Sequence, residues 1–141
     1  MLNATTHSQI TVLDHDQALD FYVGKLGLEV RNDVQLEFMR WLTVAAPGDT
    51  THEIILYVPG VPFDAATVEQ IRDLGSKGAL GTTIFSTDDV RRTAEQLRSR
   101  GVEFIQDVVE QSYAIDCAVR DPFGNHIRIS QPAPVPAARP A

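Results

Sequence analysis

Apolar residues recur along this chain at strand spacing, then at helix spacing, and then in the same order a second time. Residues 8–13 alternate, with Ile10 and Val12 on one face, and read as a strand. Asp14 and Asp16 follow, acidic residues of the kind that cap a helix at its positive end. Ala18, Leu19, Tyr22 and Leu26 then keep helical spacing up to Gly27, where a C-terminal glycine belongs. Three strands are expected next, over residues 28–34, 38–45 and 53–58, with Pro47-Gly48-Asp49 turning the chain between the last two. Pro59-Gly60-Val61-Pro62 ends the block. A short helix is expected from Asp64, with Val68, Ile71 and Leu74 on one side and Gly75 as its stop.

From Thr82 the pattern repeats. A strand over 82–87 leads to Asp88-Asp89, which caps a helix with the apolar face Val90, Ala94 and Leu97, and Gly101 ends it. Strands follow over 102–106, 113–119 and 126–130, with Asp121-Pro122-Phe123-Gly124-Asn125 as the turn before the last. The repeat is visible in the residues too: Gly27-Leu28-Glu29-Val30 recurs as Gly101-Val102-Glu103-Phe104, 74 positions later. Two βαβββ modules therefore fit, an α+β architecture in which each half-sheet has one apolar face to cover and two half-sheets face each other as a curved cup. The reading is one domain over residues 1–131, with module one at 7–58, a linking helical segment at 59–81 and module two at 82–131. The tail, residues 132–141, carries Pro132, Pro134, Pro136 and Pro140 and is expected to be flexible, because proline cannot donate to a sheet.

Composition narrows the partners. A net charge of −7 argues against nucleic acid, which needs a basic face. Arg91, Arg92, Arg98 and Arg100 decorate one helix and read as its solvated side. Cys117 is the only cysteine, so no intrachain disulfide forms, and its apolar setting suggests a buried, inert thiol. The N-terminal residues do not have the pattern of a signal peptide, and no apolar run is long enough for a membrane helix, so a soluble cytoplasmic protein is expected.

The segment Asp14-His15-Asp16-Gln17-Ala18-Leu19-Asp20-Phe21-Tyr22, followed by Leu26-Gly27-Leu28-Glu29-Val30, resembles the first module of glyoxalase and bleomycin-resistance proteins. Asp121-Pro122-Phe123-Gly124-Asn125 before a terminal strand resembles their last hairpin. Together with the repeat, over residues 7–131, these motifs resemble the vicinal-oxygen-chelate superfamily, which also contains extradiol dioxygenases. The resemblance implies the paired-module fold and, in members that do chemistry, one divalent metal held by histidines and carboxylates on the first and last strand of each module. Fold alone does not imply a reaction.

Matched position by position, the ligand set the resemblance implies falls on His7, Ile55, Thr82 and Arg128. Of these only His7 is a plausible ligand, so no metal cofactor is expected. Strand alternation places Glu53 and His126 on the faces of Ile55 and Arg128, where a displaced metal could use them with His7, or where they are polar rim residues. His15 and His52, at a helix cap and a hairpin end, read as exposed surface histidines. Arg128 in such a cup must be paired, either with a ligand anion or with an internal acid such as Glu53. Trp41, Tyr57 and Tyr113 could line an apolar slot for a flat ligand or belong to the core.

Three functions fit these residues. One is a metal-independent binding protein that sequesters or carries a small organic molecule, anionic or aromatic, with Trp41, Tyr57, Thr82, Tyr113, His126 and Arg128 around it. The second is a lyase, isomerase or dioxygenase with His7 or Glu53 as base and Arg128 stabilising an oxyanion. The third is a non-catalytic interaction domain. The resemblance also implies a homodimer.

Overall fold

The computed structural model describes residues 1–133 of the chain, and most of the tail expected to be flexible, residues 134–141, lies outside the described residues. The elements run β1 (His7–Thr11), α1 (His15–Leu19, continued by a π-helical segment Asp20–Lys25), β2 (Glu29–Gln35), β3 (Arg40–Ala45), β4 (Glu53–Tyr57), α2 (Ala65–Ser76), β5 (Thr82–Ser86), α3 (Val90–Ser99), β6 (Glu103–Glu110), β7 (Ala114–Arg120) and β8 (His126–Pro132). This is βαβββ twice, with α2 between the copies. Each copy forms one four-stranded mixed sheet, ordered β1-β4-β3-β2 and β5-β8-β7-β6, in which the first strand lies parallel to the last.

The chain divides into two compact units: Met1–Gly81 with Pro122–Asn125, and Thr82–Asp121 with the strand from His126. In the first, Asp14 caps α1 by accepting a hydrogen bond from the Gln17 amide at 2.8 Å, satisfying one of the amides left free at a helix start. The π-helical turn after α1 is marked by the Leu26 amide donating to the Phe21 carbonyl at 2.9 Å, five residues back. Phe21 and Tyr22 are both buried there, edge to face at 4.9 Å. They share the core with Ile10 of β1, Val12 just after it, and Leu42, Val44, Ile54 and Leu56, alternate residues of β3 and β4. A fully buried leucine such as Leu42 or Leu56 contributes on the order of 1.5–3 kcal/mol.

In the second unit Asp89 caps α3 through the Arg92 amide at 3.1 Å. The apolar stripe Val90, Ala94 and Leu97 is buried as α3 packs on β6, β7 and β8, beside Cys117, Val119, Ile127 and Ile129. Exposed Arg91 and Arg98 form ion pairs with Glu110 and Asp107 on β6.

Three expectations change. Gly75 does not stop α2; the helix runs to Ser76, and Gly75 is its one buried residue. The reason lies far along the chain: a Cβ on Gly124, itself at φ +97°, would sit 2.3 Å from the Gly75 carbonyl oxygen, so the turn 122–125 closes on the end of α2 only as glycine. β6 runs on to Glu110, with register shifts on either side of Gln106 that carry it past the expected end. Pro132 belongs to β8, opposite Ala114, at the strand end where a missing donor is tolerated.

Candidate functional site

Trp41, Thr43, Glu53 and His7 share the face of the first sheet opposite Leu42, Val44, Ile54 and Leu56, and Thr43 is itself buried there. Strand register sets His7 of β1 directly beside Glu53 of β4. Glu53 Oε1 accepts hydrogen bonds from Thr43 Oγ1 at 2.6 Å and Asn32 Nδ2 at 2.9 Å, and His7 Nε2 stands 3.9 Å away. The His7 ring tilts against Trp41, centroids 5.7 Å apart. The Thr43 hydroxyl holds the Glu53 carboxyl below the usual glutamate range, with Asn32 and His7 adding to the effect. Such a carboxylate stays ionised but is a weak base, the opposite of what proton abstraction requires. The two residues expected to carry catalysis, His7 and Glu53, thus stand side by side.

In the second sheet the register sets Thr82 beside His126 and Ile84 beside Arg128. Arg128 Nη1 donates to Asp116 Oδ2 at 2.9 Å, and Gln106 Nε2 donates to Asp116 Oδ1 at 3.1 Å. Asp116 is 1% exposed. Of the two partners expected for Arg128, the internal carboxylate is present, and it is Asp116 rather than Glu53. Asp116 sits inside the apolar run of β7, where its charge is the one sequence signal for this pair, because an acid at that place in a strand needs a cation within reach. Tyr113, expected in an apolar slot, lies just before β7 and is 67% exposed. Burial pushes the Cys117 thiol upward, which keeps it protonated and unreactive.

A cavity of about 320 Å³ opens in the first unit where the β2–β3 hairpin meets the end of β4. Its walls include Phe38, Met39, Arg40, Tyr57 and His15. His15, read from the sequence as an exposed surface residue, is half-buried, and its Nε2–H donates to the Leu56 carbonyl at 3.0 Å. Arg40 is engaged by Asp33, with Nε and Nη2 each 2.8 Å from one carboxylate oxygen. That bidentate pair lowers the Asp33 carboxyl and raises the Arg40 guanidinium, so both remain charged and cancel each other. Of the aromatic residues expected at a slot, Tyr57 lines this cavity; Phe38 and Met39 line it too, at the hairpin tip rather than in the strand expected from residue 38, since β3 begins only at Arg40.

The donors do not fit a divalent metal. Ile55 offers hydrocarbon, Arg128 is a cation tied to Asp116, and Glu53 Oε1 is held by two donors. Among the described residues no three of His, Cys, Asp and Glu come together as a metal site would require. No helix among the described residues is long and apolar enough to cross a membrane.

Comparison with known proteins gives a consistent picture. The profile of the Glyoxalase/Bleomycin resistance protein/Dioxygenase superfamily matches residues 4–129. The crystal structure of UcmS2 is similar with a TM-score of 0.87 and 37% identity, over 92% of this chain and 98% of that one. TnmS3, an antibiotic binding protein from Streptomyces sp. CB03234, is similar with a TM-score of 0.76 and 25% identity, over 94% of this chain and 98% of that one. The protein YurT of Bacillus subtilis (strain 168) is 31% identical over 88% of this chain and 95% of its own length.

Proposed function

We propose that this chain, which belongs to the Glyoxalase/Bleomycin resistance protein/Dioxygenase superfamily, binds and retains a small organic molecule without metal chemistry. The observation that carries this reading is the cavity of about 320 Å³ walled by Phe38, Met39 and Tyr57. Its size falls within the range of small-molecule pockets, and aromatic and thioether walls are what such pockets use. The similarity to an antibiotic binding protein supports the same reading. So does the replacement of three family ligand positions by Ile55, Thr82 and Arg128. A low-lying Glu53 carboxyl speaks against Glu53 itself as the base.

The test is a thermal-shift screen of aromatic small molecules and antibiotics on chelator-treated protein, together with elemental analysis. A ligand at one hundred times its Kd stabilises the folded state by about 2.7 kcal/mol. That stabilisation is expected to persist in chelator. One equivalent of metal per chain, lost in His7→Ala, would instead favour the enzyme reading. Light scattering on the same sample checks assembly, with a homodimer of the 15.5 kDa chain expected. Exposed Val30 and Val34 on β2 and Ile84 on β5 support that expectation, since a second copy would cover such apolar side chains.

A further inference from the structure

The cavity in the first unit has a polar signature that narrows its ligand. Its one arginine, Arg40, spends its charge on Asp33, two hydrogen bonds to two oxygens, and no carboxylate stands among the remaining wall residues. An anionic ligand would therefore meet no unpaired cation, and the net charge of −7 repels it on approach. Besides rings and a thioether the wall holds one uncharged amide, Gln35, whose Nε2 donates to the Leu36 carbonyl at 3.0 Å, and the segment 58–60. Phe38 is 70% exposed at the hairpin tip, a position in which a second ring stacked on it would remove apolar surface from water.

His15 supplies the direction. Its Nε2 faces a carbonyl, the Leu56 oxygen, which can only accept, so the proton of the neutral ring sits on Nε2. Nδ1 is then an acceptor, and it has no hydrogen-bond partner among the described residues. A ligand that meets this ring at its free nitrogen must bring a donor.

We infer that the cavity walled by Phe38, Met39, Tyr57 and His15 takes a neutral, planar aromatic molecule carrying a hydrogen-bond donor, of the phenol class. This rests on the reading of the cavity as a binding site. The cavity volume of about 320 Å³ accommodates a molecule of two or three fused rings. Met39 is unbranched and polarizable and can adapt to a ring edge, and Tyr57 and Phe38 add aromatic surface to the wall.

The experiment measures binding of naphthol, its methyl ether and naphthoate to the full chain near neutral pH by calorimetry, for wild type, Phe38→Ala and His15→Phe. Naphthol is expected to bind at least roughly fivefold more tightly than the ether, the worth of one buried hydrogen bond, and more tightly still than naphthoate. Phe38→Ala, at an exposed position, is expected to keep the melting temperature and weaken naphthol several-fold. His15→Phe is expected to erase the preference for naphthol over the ether. If His15→Phe does not fold, the three probes on wild type and Phe38→Ala still decide. Equal binding of naphthol and ether, tighter binding of naphthoate, or naphthol affinity unchanged in Phe38→Ala would overturn the inference. If all three probes fail while other molecules in the wider screen bind, the ligand class is wrong and the binding function stands. If nothing in that screen binds, the binding function itself falls.

Discussion

Ile55 and Arg128 occupy the same place in their modules, the third residue of the last strand, and each pairs with the strand before it: Ile55 with Thr43, Arg128 with Ala118. Two residues earlier on those neighbouring strands stand Trp41 and Asp116. Where the first module sets an aromatic and an aliphatic residue diagonally across two antiparallel strands, the second sets an acid and a cation. The first module's carboxylate lies elsewhere, on Glu53 at the start of β4, about a third exposed and satisfied by a hydroxyl and an amide. Asp116, in the interior of β7, is buried and has a guanidinium and an amide instead. The difference teaches how burial selects partners. At a strand end a carboxylate keeps water and needs only neutral donors, whereas a buried one requires an opposite charge.

The sharpest way to break this comparison is to make the second module resemble the first. Arg128→Ile alone strands a buried carboxylate and is expected to cost about 2–3 kcal/mol, below the usual range for a broken buried pair because Arg128 is about a third exposed. Asp116→Leu with Arg128→Ile is expected to return to within about 1 kcal/mol of wild type, since an apolar pair of similar volume can replace an ion pair. Urea denaturation of the two single variants and the double variant measures the coupling. A double variant no better than Arg128→Ile would mean that the pair does more than satisfy itself.

Where the modules match, equal effects are expected. Gly27 at φ +80° and Gly101 at φ +76° both close the helix of their module with open space where a Cβ would go. Alanine at either should cost about 1–2 kcal/mol, the strain of a left-handed residue with no added clash. Thermal unfolding of the two variants compares them directly, and a much larger loss at one site would show that the repeat hides a local difference.

The smallest effect is expected at Glu53, and it is one of pH. Its carboxyl titrates lower in the folded chain than in the unfolded one, chiefly through the Thr43 hydroxyl. It therefore contributes stability that is fully present above the ordinary glutamate range and is lost as pH falls through the depressed folded value. Glu53→Gln, which cannot titrate, should show a shallower loss of melting temperature on acidification than wild type. Identical acid limbs for the two proteins would remove Glu53 from that account.

The sequence alone determined the order of elements, because the signals for each are local. Asp14, Asp64 and Asp89 cap the three helices within three residues of the amides they satisfy, and alternation or helical spacing marks which side chains are buried. The repeated glycines after α1 and α3 follow from the same logic. What only the tertiary structure decided is which distant groups meet. Arg128 finds Asp116, twelve residues back, because the β7–β8 register sets them on one face. His15 reaches the Leu56 carbonyl 41 residues away, and Gly75 is buried inside α2 because Gly124 closes on it. These contacts are set by strand pairing and by how closely two backbones approach, and neither leaves a periodic trace in the residues themselves.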